Sequence, residues 1–273
     1  MESRQWLEVF KEIGRTMREG IAEFLDREGG SVALGKGAGG DKTFPVDKWA
    51  EDIVVAALER VHARGASFVL VSEELGIRKF GDGNHVILVD PIDGSNNAKN
   101  GVPFFALAIA LVEGHTLSGL RAGYVVNLAV GDEFWAILGE GAYKNGKRIQ
   151  TPDTGDIVIV SYEASNPSHD IPRILPILAA ARRTRCFGST ALDLAYLASG
   201  AVSVFVTATA SRAFDYAAGM LILAEAGGVV TDLSGNRLDD IAAGLDRTVP
   251  LLAAKNAAAH RSALELLQQG TDA

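Results

Sequence analysis

Three stretches of this 273-residue chain each bring an apolar run to acidic residues. The densest is Val86-Ile87-Leu88-Val89-Asp90-Pro91-Ile92-Asp93-Gly94-Ser95, where a strand-like run delivers two carboxylates, three residues apart, into a turn. Pro91 fixes one backbone angle, and Gly94 relieves steric limits at another position. Strand ends that open into such turns are where α/β proteins commonly place ligands. Two acids so close repel each other unless a cation lies between them. The same letters also make an ordinary turn, so this motif alone leaves both readings open. Phe68-Val69-Leu70-Val71 runs into Ser72-Glu73-Glu74, acids that either face a cation or begin a solvated turn. Phe214-Asp215 opens the apolar segment Tyr216-Ala217-Ala218-Gly219-Met220, where Asp215 would cap a helix and could face a cation as well. Together the three sites supply hard oxygen ligands with no His or Cys partner, and the five histidines show no metal-ligand spacing. Such a set suits Mg²⁺ or Mn²⁺ and not zinc. Magnesium keeps several waters and takes further ligands from substrate phosphate, and paired ions can activate a water and stabilise a leaving alkoxide. Metal-assisted hydrolysis of a phosphate ester is the chemistry these residues suggest.

Apolar periodicity indicates the elements that must hold them. Trp6, Val9, Phe10, Ile13, Met17, Ile21 and Phe24 fall on one face of a helix over 6–25, and a second helix is expected over 46–62. Between them, 28–40 contains six glycines and reads as a flexible loop. Strand-like runs occur at 67–71, 85–89, 105–112, 119–126 and 133–137, and Asn145-Gly146 marks a tight hairpin turn. The second half alternates: strand 157–162, helix 171–181, strand 185–187, helix 191–198, strand 202–206, helix 214–226, strands 229–231 and 250–254, and helix 257–267. This order fits an α/β (α+β) chain folded as a layered α/β/α/β sandwich. A soft boundary at 151–155 divides it into 1–152, with the first motifs, and 153–273, with the third.

Composition narrows the classes. Net charge is −8, with 34 acids against 26 bases and no basic stripe, which argues against a nucleic-acid partner. No apolar run reaches the roughly 18 residues of a membrane span, and Met1 to Phe10 lacks the apolar region of a signal peptide, so the cytoplasm is the expected location. The single cysteine, Cys186, rules out an internal disulfide and a cysteine zinc cage, and its apolar surroundings suggest an inert core residue. Gly35-Lys36-Gly37-Ala38-Gly39-Gly40 fits the letters of a dinucleotide fingerprint, but no clear strand precedes it and Pro45 interrupts the segment after it.

Val71-Ser72-Glu73-Glu74, Asp90-Pro91-Ile92-Asp93-Gly94-Ser95 and Phe214-Asp215-Tyr216-Ala217-Ala218-Gly219 resemble the three signature motifs of the inositol monophosphatase / fructose-1,6-bisphosphatase superfamily. The likeness continues through Glu225-Ala226-Gly227-Gly228 and Gly139-Glu140-Gly141-Ala142, in the family's order. The compact N-terminus, with Gly40-Asp41-Lys42-Thr43 and Pro45-Val46-Asp47-Lys48, is most similar to the archaeal-type dual-specificity branch. This resemblance implies a sugar-phosphatase sandwich, a homodimer, and a small-molecule phosphate substrate, either fructose 1,6-bisphosphate or inositol 1-phosphate. It also implies two or three Mg²⁺ ions on Glu73, Asp90, the Ile92 carbonyl, Asp93 and Asp215. Asp47 and Ser95 would position and deprotonate the attacking water, with Glu73 assisting through its metal. Gly94, Ser95 and Asp93 would bind substrate, and Asp41 would close over the site and help hold a further ion.

The chain departs from the family in places. Ser95 stands where Thr is usual, and either residue offers the hydroxyl. Asn96-Asn97-Ala98 replaces x-Asn-Phe, which implies a more open pocket side. Ala208 occupies the position where inositol-selective members carry Glu, which puts inositol-specific recognition in doubt. Arg212 either reaches a second phosphate or is a solvated surface cation. The alternatives are a phosphatase for a nucleotide 3′-phosphate or for NADP, and a metal-binding relative that has lost catalysis. The intact acids argue against the last.

Overall fold

The computed structural model describes residues 1–28, 34–40 and 42–270. Trp6, Phe10, Ile13, Met17 and Ile21 line the buried side of helix α1 (Ser3–Glu28), as their spacing requires. Short strands β1 (Gly35–Lys36) and β2 (Lys42–Thr43) pair antiparallel, so part of the stretch expected as loop is a small ribbon. Helix α2 (Pro45–Ala63) comes next, with Pro45 in its first turn, where a missing N–H costs nothing.

One sheet is built from β3 (Phe68–Ser72), β4 (Gly76–Phe80), β5 (His85–Asp93), then α3 (Ser95–Lys99), β6 (Ala106–Glu113), β7 (Leu120–Asn127), β8 (Glu133–Ile137), β9 (Gly141–Lys144) and β10 (Lys147–Ile149). Its order is β10-β9-β8-β7-β6-β5-β3-β4, antiparallel except where β3 lies parallel to β5. The sequence pattern does not reveal β4, an edge strand whose Arg78 and Lys79 weaken any apolar alternation. The Asn145-Gly146 turn between β9 and β10 has both residues at positive φ, 50° and 75°, as the tight hairpin demands.

The second sheet contains β11 (Ile159–Glu163), then α4 (Pro167–Ala180), β12 (Arg183–Arg185), α5 (Thr190–Ala198), β13 (Val204–Arg212), α6 (Ala213–Glu225), β14 (Val229–Thr231), β15 (Arg247–Ala254) and finally α7 (Ala257–Gly270). Its order is β12-β11-β13-β15-β14, with β11 parallel to both β12 and β13. Three apolar cores stack through the molecule. One lies between α1, α2 and the first sheet. The second joins the two sheets around α5 and α6, and the third packs α4 and α7 on the far face of the second sheet. The layered α/β/α/β order is therefore present, and the outer helix pair adds a final layer. Cys186 corrects one expectation. It comes just after the exposed edge strand β12 and is itself exposed. Partial burial, with help from the charges of Glu163 and Asp193, pushes its thiol up to about 11.

Candidate active site

The parallel register of β3 and β5 sets Ser72 opposite Val89, so Glu73 and Asp90 leave the first sheet side by side. The Glu73 N–H donates to the Val89 carbonyl at 3.3 Å, which ties the two strand ends together. The pairing of β5 with β6 is broken by a bulge between Asp90 and Asp93, and the Ile92 N–H donates to Asp90 Oδ1 at 3.0 Å. Bulges of this kind re-aim side chains. Gly94 then adopts φ 94°, and a Cβ there would lie 2.8 Å from the Gly188 carbonyl, so the position admits only glycine.

Two helix starts supply the other acids by one device. Asp47 in the first turn of α2 accepts from the Phe44 N–H at 2.7 Å, and Asp215 in the first turn of α6 accepts from the Arg212 N–H at 2.8 Å. Each carboxylate satisfies an otherwise orphaned N–H and is set at a fixed angle to the sheet ends. Ser95 Oγ stands 2.7 Å from Asp47 Oδ1 and 2.9 Å from the Ile92 carbonyl.

A cleft of about 950 Å³ gathers these groups: Glu73, Asp90, Ile92, Asp93, Gly94, Ser95, Arg212 and Asp215 all line it. Asp47, 2% exposed, lies behind Ser95. Asp41 is outside the described residues. Crowding shows in the electrostatics. Burial first, then the charges of Glu73, Asp93, Asp215 and Asp47, hold the Asp90 carboxyl well above the ordinary range. Asp93 is pushed up to about 7 by burial and by Asp215, against hydrogen bonds from Ser189 and the Ala191 N–H. Burial also raises Asp47, opposed by its bonds from Ser95 and Phe44 and by the charge of Lys99.

Among the described residues, no three acidic, histidine or cysteine side chains converge closely enough to grip one ion. The carboxylates are engaged elsewhere. Asp93 Oδ2 takes Ser189 Oγ at 2.6 Å and the Ala191 N–H at 2.7 Å, while Glu73 Oε1 faces Arg212 Nη1 at 3.7 Å. Even so, a crowded, all-oxygen, strongly acidic donor set fits a hard divalent cation, because a cation offsets both the burial and the neighbouring charges that raise Asp90 and Asp93.

Several features are not apparent in the sequence. Arg212 is no solvated cation: it is 4% exposed, donates to the Gly39 carbonyl and lies against Glu73. Ala98 packs in the core below α2, while its neighbours Asn96 and Asn97 line the cleft. Ser189 and Ala191, which hold Asp93, belong to no acidic motif, although Gly188-Ser189 before an apolar helix is an N-cap signal. Glu163 is equally hidden. It ends β11 at the cleft as Glu73 ends the run of β3, and burial pushes it up to about 7 against a 2.6 Å bond from the Gly188 N–H. Asn97 Nδ2 joins the halves, donating to the Phe104 carbonyl at 2.7 Å and to the Phe187 carbonyl at 2.6 Å.

A layered α/β sandwich that gathers carboxylates where its two sheets meet, around a hydroxyl–carboxylate pair, defines a divalent-cation-dependent hydrolase of phosphate monoesters. Residues 4–271 match the inositol monophosphatase family, and the chain belongs to it. Over 274 residues it is 34% identical to the fructose-1,6-bisphosphatase/inositol-1-monophosphatase of Methanothermobacter thermautotrophicus, with 96% of each chain covered. The enzyme of the same name from Archaeoglobus fulgidus is 33% identical over 98% of this chain and 100% of its own. The solved extragenic suppressor protein SuhB of Bartonella henselae matches with a TM-score of 0.82 at 28% identity, covering 97% of this chain and 99% of that one. The protein is thus a phosphoric monoester hydrolase of a family that is generally Mg²⁺-dependent. Among the described residues, no helix is long and apolar enough to cross a membrane.

Proposed function

We propose that the substrates are fructose 1,6-bisphosphate and inositol 1-phosphate, and that Glu73, Asp90, the Ile92 carbonyl, Asp93 and Asp215 hold two or three Mg²⁺ ions. Relatives named for both activities support the two substrates. When bound, such ions neutralise phosphoryl oxygens and lower the pKa of water. The chain's own part is proton transfer and orientation. An attacking water gives its proton toward Ser95 Oγ, whose own proton passes to Asp47 Oδ1, 2.7 Å away. Burial raises Asp47, which makes it a better base than a solvated aspartate. The backbone at Gly94 and Ser95 orients the phosphate at the turn that only glycine permits. Ser189 and the Ala191 N–H keep Asp93 from swinging away. The Ser95–Asp47 bond beside the acid-lined cleft is the observation that carries this reading. Its setting is a cytoplasmic homodimer, an assembly that light scattering on the purified protein checks.

The experiment is phosphate release with Mg²⁺, and with EDTA as control, from fructose 1,6-bisphosphate, inositol 1-phosphate, NADP and 3′-phosphoadenosine 5′-phosphate. Metal-dependent turnover of the first two is expected. A preference for either nucleotide would keep the mechanism and replace the substrate. No release from any of them by folded protein would leave a binding protein instead.

A further inference from the structure

Among the described residues, the cations lining the cleft are Lys99, Arg212 and Arg247, and they differ in what holds them. Arg212 is buried against Glu73 and the Gly39 carbonyl, where its charge offsets the acid cluster. Lys99 Nζ lies 4.0 Å over the Phe44 ring, and its charge acts on Asp47. Arg247 stands directly opposite Arg212 in the antiparallel pairing of β13 with β15, at the end of that pair which opens on the cleft.

The two arginines are not equivalent. Arg212 points into the acid cluster, whereas Arg247 is exposed at the rim. Its anchorage is well defined: Nη1 donates to the Ala210 carbonyl at 3.0 Å, across a bulge centred on Ser211. The next residue locks that bulge, with Thr248 Oγ1 donating to the Ser211 carbonyl at 2.9 Å and lying 3.0 Å from the Tyr216 hydroxyl. A tethered guanidinium at the edge of a phosphate site is pre-organised to take a second phosphate by paired N–H donors.

We infer that Arg247, and not Arg212, is the residue that binds the second phosphate of a bisphosphate substrate and so sets the preference for bisphosphates over monophosphates. This assignment rests on the bisphosphate reading given above.

The test compares wild type, Arg247→Gln and Arg247→Lys in kcat/KM for fructose 1,6-bisphosphate and for inositol 1-phosphate. In Arg247→Gln, the ratio of bisphosphate to monophosphate kcat/KM should fall about tenfold or more, mainly through KM, the loss typical of a charged hydrogen bond. Arg247→Lys, which keeps the charge without the fork, should fall between the two. An unmoved ratio in Arg247→Gln, whatever happens to either activity alone, would overturn the assignment while leaving the bisphosphate reading intact. Wild-type enzyme that hydrolyses monophosphates but no bisphosphate would overturn both.

Discussion

Replacing Gly188 with alanine probes the joint that holds the two halves of the site together. Gly188 has φ 85°, and its N–H binds Glu163 Oε1 while the next residue, Ser189, holds Asp93. An alanine there incurs two costs. The left-handed backbone costs an L-residue about 1–2 kcal/mol. The new Cβ would also lie 2.7 Å from Asn97 Nδ2 and 3.1 Å from Asn97 Oδ1. Asn97 cannot retreat without releasing its bonds to the Phe104 and Phe187 carbonyls, and each is worth about 1 kcal/mol net. The sum is about 3–4 kcal/mol, which in a chain of this size lowers Tm by roughly 5–15 °C. Thermal unfolding followed by circular dichroism measures it. Asn97→Ala alone should cost about 2 kcal/mol by losing the same two bonds. Adding Gly188→Ala to that background should then cost only the backbone strain, so the double variant falls short of additivity by about 2 kcal/mol. A Tm for Gly188→Ala within about 2 °C of wild type, or strict additivity in the cycle, would refute the reasoning.

Asp93→Asn should lower kcat by roughly 100-fold or more with circular dichroism unchanged, since the amide keeps the shape and loses the charge; normal turnover would remove Asp93 from the metal site. Ser95→Ala should lower kcat by about 10² to 10⁴ while Ser95→Thr stays active, because the relay needs a hydroxyl and not a serine; equal activity of both variants would discard the relay. In EDTA, stability should fall as pH rises from about 5 to 8. Asp93 and Glu163 are both pushed up to about 7, so their protonated forms favour the folded state in full below the unfolded values and that favour is lost through about pH 7. Glu163→Gln should flatten this slope, and a Tm that climbs over that window in metal-free protein would contradict the sign.

Much of the site is local in the chain and can be read there. Asp90 and Asp93 share one turn, Glu73 sits just past a strand end, and Asp215 lies in the first turn of α6 and not at its cap, so each motif carries its own geometry in a few residues. The fold class is legible for the same reason: helical and alternating apolar periods report which face of an element is buried. Pairings of distant residues are not legible. Arg212 looks like any basic residue until β13 and Glu73 enclose it. Ser189 and Asp93 are 96 residues apart, and Asn97 and Phe187 are 90 apart. Cys186 follows the basic, exposed edge strand Arg183-Thr184-Arg185, and it is exposed there and not in the core. The amino-acid sequence alone determined the donor chemistry, most of the element order and the family pattern, because those depend on residue type and short-range backbone preference, whereas the edge strand β4 and the β1–β2 ribbon escaped it. Only the tertiary structure decided which cation neutralises the acids, which stands at the rim and what holds Asp93 in place, because those depend on strand register and on helix starts brought together across the chain.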